Sequence, residues 1–191
     1  MKKVILVDGN NLMFRSYFAT AYTGNLMKNS KGEATNALYG FVNMINKIID
    51  EEKPNYMAVA FDIGKNFRHA KYKDYKAGRQ ETPTELLEQM PKARTLLDAM
   101  GIKHYEVENY EADDIIGTIS VMALDDPEFN ATIVSSDKDL LQLINKEVDV
   151  KLLKTKDFIR YNEKTFEEDY GIKPIRMIDL KALMGDPSDN V

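Results

Sequence analysis

Carboxylates recur in this sequence where a phosphoryl-transfer site would need them. Three short apolar runs each end in an aspartate: VILV leads to Asp8, MAVAF to Asp62 and ATIVSS to Asp137. Asp139 follows two residues past Asp137, and Glu111, Asp113 and Asp114 form an acidic stretch after a fourth run, Ile102 to Val107. GDPSDN adds Asp186 and Asp189. Nine acidic side chains sharing one cleft repel one another, so some must hold protons or draw in cations. An all-oxygen donor set suits Mg2+, with Mn2+ as the other candidate. Two such ions about 4 Å apart activate water and offset charge in the hydrolysis of a phosphodiester. Taken singly, each acid has an ordinary role open to it. Asp8 with Gly9 suits a turn, Asp137 a helix cap, and Glu111, Asp113 and Asp114 the first turn of a helix, where the dipole favours acids. Acids at three strand ends beside an acidic helix start favour a shared metal site. Asp125 and Asp126, before Pro127, are expected to be solvated.

A basic segment lies beside these acids. Residues 65–79, KNFRHAKYKDYKAGR, carry Lys65, Arg68, Lys71, Lys73, Lys76 and Arg79 against one acid, Asp74, with Phe67, Tyr72 and Tyr75 interleaved. Cations contact phosphates, and aromatic rings stack on unpaired bases. A solvated surface helix is the plain alternative. The segment follows Asp62 directly, so it leaves the sheet at the proposed site. Lys76 and Arg79 are three apart; they share a face if the stretch is helical, and can then clamp a scissile phosphate. The polar loop from Gly24 to Gly32 is expected to be mobile and near the nucleic acid. His69 and His104 stand alone and are read as surface or packing residues.

The elements that must position these groups follow from periodicity. Runs as apolar as these four read as strands buried on both faces, hence parallel. Leu38, Phe41, Val42, Ile45, Ile48 and Ile49 follow helical spacing from about Thr35 to Glu52. Thr82, Pro83 and Glu85 read as a capping box. The helix it opens is expected to bury Leu86, Met90, Ala93, Leu97 and Met100, kink at Pro91 and end at Gly101. A third helix starts after Glu111 with Ile115, Ile116, Ile119 and Met122 inward, and shorter ones fit Lys138 to Leu143, Phe166 to Tyr170 and Ile175 to Met184. Gly171 is expected to stop the second of these short helices. Strands alternating with helices predict one α/β domain over residues 1–191, with a mostly parallel central sheet flanked by helices.

Composition bounds the rest. Across 191 residues, 43% are hydrophobic and 30% charged, an ordinary globular balance. Without cysteine there is no disulfide framework, thiolate zinc site or cysteine nucleophile, and two histidines make a multi-histidine metal site improbable. MKKVILVDGNN starts like a signal peptide, but its apolar run is only Val4 to Val7 before an aspartate, which predicts a buried strand and a cytoplasmic protein, with no membrane partner. The formal net charge of -5 counts 26 bases against 31 acids. Set the nine clustered acids aside and 22 remain, so the rest of the chain is net basic and compatible with a nucleic-acid partner.

VILVDGNNLMFRSYFA, ATNALYGFVNMI, FRHAKYKDYKAGR, YEADDIIGT, SSDKDLLQL and GDPSDN occur in the order found in the 5′→3′ exonuclease / flap endonuclease family. The chain resembles that family over essentially its whole length, most of all the N-terminal 5′-nuclease domains of bacterial DNA polymerase I and their stand-alone relatives. The resemblance implies a PIN-like 5′-nuclease fold with a basic helical arch over about residues 65–85. It implies that Asp8, Asp62, Glu111, Asp113 and Asp114 serve a first Mg2+, that Asp113, Asp137 and Asp139 serve a second, and that Asp186 and Asp189 contribute there. It also implies that Lys76 and Arg79 are the basic pair at the foot of the arch, that Tyr75 stacks near the scissile nucleotide, and that Arg68 and Tyr72 line the arch. The implied partner is DNA with 5′ ends or 5′ flaps, in replication and repair, with a polymerase domain in a longer parent chain and a monomeric state. In the family a glycine-rich helix-hairpin-helix segment follows the GDxSDN motif and grips duplex backbone. Here Val191 follows the motif directly, so a form truncated before that segment is expected. A non-catalytic DNA-binding fragment and a related metal-dependent ribonuclease are the alternatives. A phosphatase with an aspartyl nucleophile fits less well, because Asn10 stands where its second acid belongs.

Overall fold

The computed structural model describes residues 1–21, 26–154 and 157–191; Gly24 and Asn25 of the polar loop lie outside them. Six strands form one sheet: β1 (Lys2–Asp8), β2 (Tyr56–Ala60), β3 (Lys103–Tyr105), β4 (Phe129–Ser135), β5 (Val148–Leu153) and β6 (Phe158–Tyr161). Their order is β3-β2-β1-β4-β5-β6, parallel throughout except for the antiparallel β5–β6 pair. Alternation along β1 explains why its apolar run is unbroken. Ile5 and Val7 join a core with Val59 and Val134 on one face, whereas Leu6 joins Ala60, Ala131 and Ile133 on the other. Both faces of β1 are covered, as its run predicts, whereas β3, from the run Ile102 to Val107, is exposed at Lys103 and Tyr105.

Strand order reverses between β1 and β4, because the chain passes from β1 to β2 on one side and reaches β4 on the other. In such sheets the crevice for ligands opens at the carboxyl ends of the strands flanking the reversal. The end of β1 is Asp8, and Ser136 and Asp137 directly follow β4.

Helices α1 (Gly9–Ala21) and α2 (Asn36–Glu52) pack on the face carrying Ile5 and Val7, and α6 (Ala112–Leu124) packs on the opposite face. Between α2 and α6 lie α3 (Phe67–Lys71), α4 (Thr84–Leu87) and α5 (Met90–Ala99). After β6 come α7 (Glu163–Tyr170), closed by Gly171 in the left-handed conformation, and α8 (Met177–Met184). The Lys138–Leu143 segment is a 3-10 helix.

Several expectations need correction. The long helix from Thr82 is two helices, broken between Leu87 and Met90, and the Thr82 capping box does not form, since Pro83 is the N-cap and makes no side-chain cap bond. Pro91 lies in the first turn of α5, where its missing N–H costs nothing. The break frees the fully buried Gln89, whose Oε1 accepts from the Ala37 and Leu38 amides at 2.9 and 3.2 Å and so caps α2. Met122 is 64% exposed, at the rim of an open apolar groove, and does not face the core. Over residues 65–85 the chain forms the five-residue helix α3, turns from 73 to 78 and the start of α4. Strands β5 and β6 were not legible, because VDVKLL places Asp149 and Lys151 inside the run. Lys151 is buried with Nζ 2.6 Å from Glu52 and 2.9 Å from Glu51, a pairing from a distant helix that makes a lysine tolerable there. Among the described residues, no helix is long and apolar enough to cross a membrane.

Candidate active site: bare and paired carboxylates in one cleft

A cleft of about 470 Å3 opens at the carboxyl edge of the sheet, lined by Asp8, Asp62, Glu111, Asp113 and Asp137 together with Lys76 and Arg79. Four segments bring these acids together. Asp8 ends β1, Asp62 lies two residues past β2, Asp137 caps the 3-10 helix after β4, and Glu111 caps α6 with Asp113 and Asp114 in its first turn. The start of α1 is pressed against the sheet at Gly9, where a Cβ would lie 2.5 Å from the Phe61 ring. Glycine lets α1 begin that close to the Phe61 ring.

Four acids in this cleft are in no ion pair among the described residues: Asp8, Asp62, Asp113 and Asp137. Neutral donors hold three of them. Asp8 accepts from the Asn11 amide at 3.0 Å and the Ser135 hydroxyl at 2.9 Å. Asp62 accepts from Asn10 Nδ2 at 3.0 Å and from the Ala112 amide at 2.6 Å. Asp137 accepts from the Asp139 amide at 2.8 Å. Burial pushes Asp8 up to about 7, with the charges of Asp62 and Asp137 adding to it. Burial pushes Asp113 up to about 8, with Asp8, Asp137, Asp62 and Glu111 adding to it. Asp137 is raised by burial as well. Bare carboxylates this crowded are made for a hard cation, and their oxygen-only chemistry fits a divalent metal such as Mg2+. Among the described residues, no three acidic groups enclose a coordination point.

The other five acids are already paired. Lys76 Nζ lies 2.5 Å from Glu111 Oε1, to which Tyr75 also donates through its hydroxyl at 3.0 Å on Oε2. Burial opposes ionisation of Glu111, but the Lys76 ammonium, the Tyr75 hydroxyl and Arg68 hold its pKa below the ordinary value. Arg68 binds Asp114 through two bonds of 2.7 and 2.8 Å and holds that carboxyl low. Arg79 Nη2 lies 2.8 Å from Asp189 Oδ1. Lys181 Nζ lies 2.8 Å from Asp139 Oδ1 and 2.5 Å from Asp186 Oδ2, and it holds Asp186 down to about 2.

The predicted basic segment therefore reaches the acids, but not as a helix. Lys76 has a left-handed backbone, φ 59°, which turns the chain back over the cleft. Tyr75 is 8% exposed, bonded to Glu111 and edge-on to His69 at 5.2 Å, so in this arrangement its ring is no open stacking surface. Tyr72 is exposed, and its hydroxyl donates to the Asn190 carbonyl at 2.9 Å. His69 completes the Asn66 capping box of α3, and His104 pairs with Asp98, so both are local packing residues as expected. Asp125 and Asp126 are exposed.

Sequence reasoning missed Lys181, Asn10, Asn11, Ser135 and Ser136. Asn11 Oδ1 accepts from the amide and hydroxyl of Ser136 at 3.0 and 2.7 Å, which ties the ends of β1 and β4 together. Their signal was position: polar residues directly flanking Asp8 and Asp137. For Lys181 the signal was a lone base in the otherwise apolar and acidic helix MIDLKALM. A larger cavity, about 940 Å3, lies elsewhere. It is an apolar groove beside α6 and β2–β3 lined by Met57, Ile115, Ile119 and Phe129, with none of the four bare acids.

A family model described as 5′-3′ exonuclease, N-terminal resolvase-like domain matches residues 3–171. DNA polymerase I of Bacillus subtilis is 49% identical over 193 aligned residues, covering 100% of this chain and 21% of that protein. DNA polymerase I of Streptococcus pneumoniae is 47% identical, covering 100% of this chain and 22% of that protein. The chain thus spans about a fifth of the length of these relatives. Among solved structures, a bacteriophage T5 flap endonuclease in a pseudo-enzyme–product complex with DNA and metal ions has a TM-score of 0.73 at 25% identity, covering 100% of this chain and 69% of the other. The catalytic core of Rad2 in complex with DNA substrate has a TM-score of 0.63 at 19% identity, covering 99% of this chain and 55% of the other, and shares the fold.

Proposed function

This chain belongs to the family of 5′-3′ exonuclease N-terminal, resolvase-like domains, and from that premise we propose that it is a structure-specific 5′ nuclease that hydrolyses DNA phosphodiester bonds with divalent metal ions. The observation that carries the reading is the cleft itself: four bare carboxylates face it, and two cations, Lys76 and Arg79, line it too. Mg2+ is the proposed metal, with two ions bound and Mn2+ able to substitute. Asp8, Asp62, Asp113 and Asp137 are the primary ligands, and Glu111, Asp114, Asp139, Asp186 and Asp189 complete the shells. Such ions, when bound, lower the pKa of water and offset charge on the phosphodiester.

The chain's own residues supply the rest. Lys76 and Arg79 bind the non-bridging oxygens of the scissile phosphate, where charge grows as the bond breaks. Arg68 and the exposed Tyr72 extend that contact along the strand. Asn10 and Asn11 hold Asp62 and the β4 end in register at the cleft. The T5 flap endonuclease solved with DNA and metal ions supports both partner and cofactor. DNA with 5′ ends or 5′ flaps, arising in replication and repair, is the proposed substrate, and the polymerase I relatives support a polymerase region in a longer parent protein. A second reading, DNA binding without turnover, draws on the ion pairs that already occupy Lys76 and Arg79.

The test is cleavage of a labelled 5′-flap DNA with Mg2+, compared with EDTA and with Asp137→Asn. Cleavage that needs Mg2+ and is lost in the variant is expected. Cleavage indifferent to both would refute the metal assignment, and binding without cleavage would favour the second reading. An RNA flap, run beside it, separates a ribonuclease.

A further inference from the structure

Lys181 is one cation shared by two carboxylates from different elements. Its Nζ sits 2.8 Å from Asp139 on the 3-10 helix and 2.5 Å from Asp186 in the turn after α8. Among the described residues, no other lysine or arginine is ion-paired with either acid. The bare set lies directly alongside, because the Asp139 amide donates to Asp137 at 2.8 Å. The cleft is therefore asymmetric. On one side Asp8, Asp62 and Asp113 are themselves in no ion pair among the described residues, whereas on the other side an incoming cation meets an ammonium seated on Asp139 and Asp186 themselves. Lysine suits an exchangeable role: its charge is a compact ammonium on a flexible stem, and here the side chain keeps 34% exposure through which to swing out.

Resting on the metal-dependent reading above, we infer that Lys181 is an internal counter-ion that competes with a divalent ion for Asp139 and Asp186. It is a positioning residue for the second ion. In the ion's absence it neutralises the two acids, and on ion binding it must withdraw. The two ions therefore bind unequally, the first to the bare acids and the second against the ammonium.

The experiment is a titration of the full chain with Mn2+ alone, without DNA, followed by calorimetry and by the electron paramagnetic resonance signal of free Mn2+. Wild type is expected to show a tighter and a weaker step. Lys181→Met should tighten the weaker step about fivefold to tenfold, the order expected from removing one like charge near a solvated site, and leave the tighter step within about twofold. Lys181→Arg, which keeps the charge, should restore the weaker step to near its wild-type affinity. Lys181→Gln serves if the methionine variant fails to fold by circular dichroism. A weaker step that these neutral variants leave unchanged, or weaken further, overturns the inference while leaving the metal reading intact. Absence of any Mn2+ binding by the wild-type chain overturns the metal reading, and this inference with it.

Discussion

The ammonium of Lys76 lies 2.5 Å from the carboxylate of Glu111, so a group proposed to hold phosphate is the counter-ion of a group proposed to serve metal. Arg68 with Asp114 and Arg79 with Asp189 repeat the arrangement. The basic segment and the acids thus neutralise each other, and each becomes available when the other finds a different partner.

Metal and DNA binding should therefore be positively coupled. A divalent ion that takes over the acids releases Lys76, Arg68 and Arg79 for phosphate. Flap-DNA affinity, measured by fluorescence anisotropy, is expected to rise about tenfold from EDTA to Ca2+. Glu111→Gln should raise the affinity in EDTA, because Lys76 is then free without metal. Equal affinities with and without Ca2+ would contradict the coupling.

Removing either cation should cost catalysis more than binding. Lys76→Ala and Arg79→Ala are each expected to lower the single-turnover cleavage rate by about 100-fold to 1000-fold, the usual cost of one preorganised donor at the reacting centre. Stopped or quenched single-turnover assays at saturating enzyme read this directly. A loss confined to substrate affinity would place these residues away from the scissile phosphate.

Metal-free stability should fall as pH rises. Asp8 and Asp113 titrate in the folded chain near 7 and 8, above their unfolded values, so the folded state binds more protons between the two limits. The stability they contribute is full below the unfolded pKa and is lost as pH passes through 7 to 8. In EDTA, Tm is expected to drop by about 5 °C from pH 6 to pH 8. Mg2+ at pH 8 should recover most of that drop, and calorimetric scans across the four conditions check it.

A second ion network is structural. Glu52 accepts from Lys151 at 2.6 Å and Lys3 at 3.1 Å and binds Arg160 at 2.5 Å, far from the cleft. Glu52→Ala strands the buried Lys151 beside Glu51 alone. It is expected to cost about 3–5 kcal/mol of stability in urea unfolding, with cleavage per folded molecule unchanged.

Gly9→Ala should couple fold and site. Its Cβ would come within 2.5 Å of Phe61 and push the start of α1 away from the sheet. A loss of about 1–3 kcal/mol is expected, together with weaker Mn2+ binding, because Asp8 is the preceding residue. Stability lost without any change in Mn2+ binding would separate Gly9 from the site.

The placement of Asp8, Asp62 and Asp137 was legible in the sequence because it rests on local signals. Unbroken apolar runs mark strands covered on both faces, and an acid at the end of each run falls on the sheet's carboxyl edge whatever the rest of the chain does. The acidic first turn of α6 was legible for the same reason. What remained hidden depends on approach through space. Arg68 meets Asp114 across 46 residues and Lys151 meets Glu52 across 99, separations that no periodicity records. Tertiary packing alone decided which carboxylates are bare and which are paired. It alone let Gln89 break a helix to cap another, and brought the basic segment back over the acids. Net charge, at -5, counts these groups without saying which of them meet, and Coulomb attraction depends on that distance.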